Sequence, residues 1–108
     1  MEILLRDSMP AFCSELEQLL EGMPDLRQQV KGLEVVARCT CGSPTCAHFY
    51  TAPRPSESYG YGHENICLNP NTGDVILDLV ARVIVAVEVL DRPDVKVVLD
   101  RHLPLSSP

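Results

Sequence analysis

Within ten residues the chain places three cysteines and a histidine, in the run Cys39-Thr40-Cys41-Gly42-Ser43-Pro44-Thr45-Cys46-Ala47-His48. Soft thiolates and an imidazole are the donors that zinc prefers, and few other residues here carry comparable chemistry. A hairpin would bring the four together. If one strand runs to Cys41 and the next begins at Cys46, Gly42-Ser43-Pro44-Thr45 is the connection. Cys41 then faces Cys46, Cys39 faces His48, and all four side chains leave the same face. The pleat also sets an obstacle, because ligands two apart on a flat strand lie about 7 Å apart. A zinc ion with Zn–S bonds of about 2.3 Å needs them closer, so the strand ends must curl or bulge.

The expected metal ligands are therefore Cys39, Cys41, Cys46 and His48, with His63 and Cys67 in reserve. Four protein ligands close a tetrahedron and make the metal a structural staple, which a small domain can use to supplement its core. An open catalytic zinc would need one ligand fewer and a base. Glu64, next to His63, is the carboxylate nearest the expected loop. The rival to a stapled interaction or regulatory domain is an enzyme, either thiol-redox through Cys39, Cys41 and Cys46 or metal-dependent. A serine triad from Ser43, His48 or His63, and Asp78 has no supporting spacing, and no catalytic residue is assigned. A second candidate surface is Tyr59-Gly60-Tyr61-Gly62-His63 with Arg54 before it. Tyr59, Tyr61 and Arg54 are the residue types that dominate protein–protein contacts.

These residues need elements to hold them. Phe12, Leu16, Leu19 and Leu20 repeat at helical spacing, with Ser8 or Asp7 as cap, Pro10 in the first turn and Gly22 as the stop. Pro24 and Asp25 open a second short helix that Gly32 closes. From Leu33 the period changes to two, giving a strand through Ala37, then a strand ending at Phe49 and Tyr50. A long Pro/Gly/Ser-rich loop follows over 51–63. Ile66 and Leu68 suggest another strand, stopped by Asn69-Pro70-Asn71-Thr72-Gly73. The stretch Val75–Leu90 is rich in β-branched residues and is split near Ala81-Arg82 into a hairpin, the rival being one long bent strand. Neither turn residue accepts positive φ readily, where Asp-Gly would. Asp91-Arg92-Pro93-Asp94 caps a last helix with Val95, Val98 and Leu99 inward.

The expected fold is α+β in one domain. A helical hairpin (1–32) and a short C-terminal helix (91–103) pack on a four- to five-stranded antiparallel sheet (33–90), followed by a tail (104–108). Cys13 reads as core, Cys67 as a small buried apolar group and His102 as surface. With 108 residues, no Trp and two Phe, the core is aliphatic. A net charge of -6 without a basic stripe argues against nucleic-acid binding. Asp78, Arg82 and Glu88 interrupt the most apolar stretch, which is too short to span a membrane. The start Met1-Glu2-Ile3-Leu4-Leu5-Arg6 does not read as a secretion signal, and five cysteines is an odd number. Both suit a cytoplasmic address, where clustered cysteines mean metal or redox chemistry more often than structural disulfides. The expected state is a monomer or homodimer, with a protein as partner.

The run Arg38 to Cys46 resembles the Cys-x-Cys-Gly-Cys-x-x-Cys signature of small uncharacterised bacterial proteins. Arg82-Val83-Ile84-Val85-Ala86-Val87-Glu88-Val89-Leu90 is similar to a Gly-Arg-Ile-Val-x-x-Glu-Val-Leu hairpin that recurs among them. The resemblance covers about a fifth of the chain and implies no activity. Ser43 stands where that pattern has a cysteine, and Ala81 where it has a turn glycine.

Overall fold

In a computed structural model the described residues are 3–53 and 59–104. The fold is α+β. A five-stranded antiparallel sheet has the order β3-β4-β7-β6-β5. Its strands are β3 (Ala37–Arg38), β4 (Phe49–Tyr50), β5 (His63–Cys67), β6 (Asp74–Val80) and β7 (Val83–Leu90). A two-stranded sheet joins β1 (Ile3–Leu4) to β2 (Glu34–Val35). The helices are α1 (Leu5–Ser8), α2 (Pro10–Leu19), α3 (Pro24–Arg27) and α4 (Pro93–His102), with a 3-10 turn at Val30–Gly32.

The helical layer follows the apolar spacing. Phe12, Leu16 and Leu20 are buried with Leu5, Leu26 and Val30, while Leu19 is only half-buried. Phe12 meets Phe49 of β4 edge to face, with ring centroids 6.2 Å apart. The caps differ from expectation. The N-cap of α2 is Met9 and that of α4 is Arg92, and neither makes a side-chain capping bond. Pro at the first position removes one donor that would need a cap, and this reduces the demand for one. Ser8 instead donates back to the Leu4 carbonyl at 3.0 Å.

The strand expected from Leu33 is broken in two. Val35 pairs with Ile3 in the small sheet, while Ala37 and Arg38 pair with Tyr50 and Phe49 in the large one. The strand expected to run on to Cys41 stops at Arg38, and its partner starts at Phe49 and not at Cys46. The strand expected around Ile66 and Leu68 begins earlier, at His63.

Residues 74–90 form a hairpin with Ala81 and Arg82 as its turn, at φ of 51° and 66°. Two successive left-handed residues match the right-handed twist of the strands. Arg82 is held there by hydrogen bonds to Asp25 and by its carbonyl accepting from Gln29 at 2.8 Å. In β6, Val75, Leu77 and Leu79 face the helices, and Ile76, Asp78 and Val80 face away. Between the pairs Asp78–Ala86 and Leu79–Ile84, β7 carries one residue more than β6. That bulge returns Ile84 to the core face beside Leu79.

Two buried arginines join the sheet to the helical layer. Arg92, 7% exposed, holds Glu15 of α2 with both terminal nitrogens at 2.8 and 2.6 Å, binds Asp94, and lies over the Phe12 ring. Arg38 pairs with Asp100 of α4 at 2.6 Å. Gly73 precedes β6 at φ 70°, and a Cβ there would stand 2.5 Å from the Leu90 carbonyl oxygen. Only glycine fits. Among the described residues, no helix is long and apolar enough to cross a membrane.

Candidate metal centre

The cysteine run lies between β3 and β4, at one corner of the large sheet. The Cys39 N–H donates to the His48 carbonyl at 2.9 Å, extending the β3–β4 register by one pair and setting these two residues side by side. Beyond Cys39 the pleat ends. Gly42 is left-handed at φ 78°, and the Cys46 N–H closes a tight turn onto the Ser43 carbonyl at 3.3 Å. On its other side the loop is stitched to β7. Cys46 bridges Leu90, the Ala47 N–H donates to Val89, and the Asp91 N–H donates to Thr45. The departure from a flat hairpin is the curl that convergent ligands require.

Cys39, Cys46 and His48 each offer a donor atom, and these atoms lie within 4.8 Å of one another. Among the described residues this is the one such group, and it can hold a metal ion. In a zinc tetrahedron the sulfurs stand about 3.8 Å apart, so closing on an ion takes small side-chain motions. Cys41 is exposed and lies outside this group, with the Cys46 and Cys39 thiols near enough to act on it. The Ser43 backbone, first, and then those two thiols hold Cys41 below its ordinary pKa. Burial pushes the Cys46 thiol up to about 11. Burial also lowers the pKa of His48, so its ring is neutral near pH 7 and available as a ligand. Its Nε2 is buried with no hydrogen-bond partner among the described residues. A buried ring nitrogen left without a partner is costly unless something else satisfies it.

The reserve ligands lie elsewhere. The His63 Nε2 is 2.9 Å from Asp78 Oδ1, and its ring stacks against Tyr59 with centroids 4.7 Å apart. Cys67, expected buried, is exposed on the edge strand β5. Its row of the sheet runs Cys67–Ile76–Glu88–His48, three strand spacings or about 14 Å from His48. Glu64 is ion-paired with Arg82 at 3.7 Å and stands on the same edge strand, away from the 39–48 loop. Cys13 is buried and His102 exposed, as their sequence contexts suggest. Tyr61 is fully exposed. Arg54 lies outside the described residues.

The sequence reading missed the arrangement on the helix-free face. There Asp78 takes hydrogen bonds from His63 and Asn65, and Glu88 lies against it. Its signal was the phase of β6 and β7, in which Asp78 and Glu88 alternate with core residues. Their adjacency required the register. Compared with known proteins, the chain matches no family model, no curated protein and no solved structure.

Proposed function

We propose that this chain is a zinc-stapled protein-interaction or regulatory domain, its ion held by Cys39, Cys46 and His48 with Cys41 as fourth ligand. The observation that carries this reading is the convergence of three donors within 4.8 Å, with Cys41 on the same loop as the remaining thiol. Four protein ligands leave no position for a reacting water, so the ion would act on folding and not on a substrate. It would tie the β3–β4 corner to the end of β7, where α4 begins. The fully exposed Tyr61 and the neighbouring Tyr59 supply the aromatic contact expected of a partner-facing loop.

The experiment is elemental analysis of protein purified without added metal, followed by thermal unfolding with and without chelator. The expected result is one zinc per chain and a lower Tm after chelation. Metal-free protein whose Tm ignores chelator would end this reading. A thiol-redox reading has one observation in its favour, the exposed Cys41 thiol with a lowered pKa. It predicts metal-free protein in which Cys41 is the first thiol alkylated.

A further inference from the structure

The sheet face turned away from the helices carries a second polar group, beside the His48 edge of the metal centre. Asp78, at the middle of β6, is 5% exposed. Its Oδ1 accepts from His63 Nε2 at 2.9 Å and from Asn65 Nδ2, both on β5. Glu88 of β7 lies one diagonal step from it in the β6–β7 register. Beside this pair lies a cavity of about 290 Å3, lined by both and by Tyr50 and Tyr59, with Ala86 between Tyr50 and Asp78 in the sheet register. His48 also lines it.

The lining restricts what can enter. Among the described residues, the cavity has two carboxyl groups and no lysine or arginine. An anion is repelled. A bare metal ion does not fit the donors, because His63, Asp78 and Glu88 do not gather at coordination distance. Two carboxyl groups facing one cavity favour an occupant of positive charge. An ammonium or guanidinium group supplies that charge and several N–H donors. Aromatic rings beside it add a cation–π attraction. The volume, at the low end for ligand pockets, limits the occupant to a small molecule or one side chain.

We propose that this cavity binds a small organic cation, a primary ammonium or guanidinium group, with Asp78 and Glu88 accepting its N–H donors and Tyr50 and Tyr59 flanking its charge. The test is a titration of the purified, metal-loaded chain at mildly alkaline pH, read by amide shifts of Asp78, Ala86 and Glu88. The probes are methylguanidinium and butylammonium, with butanol and butyrate as neutral and anionic counterparts. The expected result is saturable shifts at these amides for the two cations alone. Glu88→Gln, which keeps shape and removes charge, weakens cation binding about tenfold, and Tyr59→Leu weakens it less. Asp78→Asn abolishes binding. Because Asp78 is buried and that variant can misfold, Glu88→Gln with an otherwise unchanged amide spectrum carries the test. Equal shifts with butanol, cation shifts spread over the acidic surface without saturation, or undiminished affinity in Glu88→Gln would each overturn the proposal. Because His48 lines the same cavity, the titration is repeated after chelation: cation shifts that survive removal of metal stand whatever the fate of the zinc reading, and shifts lost with the metal overturn this proposal.

Discussion

The two faces of the large sheet bury charge in opposite ways. On the helix face the buried charges are Arg38 and Arg92, each met by carboxylates from helices, and Arg92 fills all five of its N–H donors. On the other face the buried charge is Asp78, whose neighbours are a neutral amide, an imidazole and a second carboxyl group. The first arrangement is complete within the chain. The second, together with the His48 Nε2 that lacks a partner among the described residues, has groups still to be satisfied. The helices secure the fold, and the chemistry open to a ligand collects where they are absent.

The comparison breaks most visibly at Phe49, fully buried on the helix face against Phe12. Phe49→Ala should cost about 3–5 kcal/mol, enough to threaten a domain of this size, measured by chemical denaturation. A loss under about 1 kcal/mol would mean that this face is not the core. Next is Arg92→Leu, which strands Glu15 and Asp94. Both partners are partly exposed, at 28% and 59%, so the expected loss is about 1–3 kcal/mol, read as a drop in Tm.

Titration sharpens the contrast through sign. On the helix face Arg92 holds Asp94 below its ordinary pKa. The stability this contributes is present above the unfolded value of 3.8 and is lost as pH falls through the lower folded value. On the open face burial, then contact with Asp78, raises Glu88 to about 7 from 4.5. Its contribution is full below 4.5 and lost as pH rises through about 7. Unfolding followed against pH should therefore show two opposite slopes, and Glu88→Gln should remove the neutral-side slope while leaving the acid one. The smallest effect belongs to neither face. Ala81→Gly at φ 51° should stabilise by about 0.5–1 kcal/mol, by relieving a left-handed alanine. If calorimetry shows a loss instead, the turn is not strained.

Much of the helix face was legible in the sequence because its order is local. Phe12, Leu16 and Leu20 share a stripe, and the alternation of Val75, Leu77 and Leu79 against Val87 and Val89 gives two strands with a common buried side. The β1–β2 pairing was not legible, since two residues carry no period and Ile3 meets Val35 only through the helices between them. The end of β3 at Arg38 was hidden for another reason: pattern continued toward Cys41, and the curl at Gly42 decided otherwise. Of the metal centre, the residue types and closeness were visible, and the place of His63 and Cys67 on β5, at the far edge of the sheet from β3, was not. The Asp78–Glu88 contact lies two strands deep and needs the β6–β7 register to be seen.

The stitching of the cysteine loop to β7 has a consequence for the order of assembly. Cys39, Cys46 and His48 sit within one short run, so an ion bound as proposed would gather them by closing a small loop at little entropic cost, before β6 and β7 exist as a pair. The bonds from Cys46, Ala47 and Thr45 to the end of β7 join segments far apart in sequence and are slow to find. A chain emerging from the ribosome presents the ligands well before it presents their sheet. An ion captured early would pre-shape the corner against which the β6–β7 hairpin later docks, so metal supply during synthesis would set the folding rate as well as the final stability.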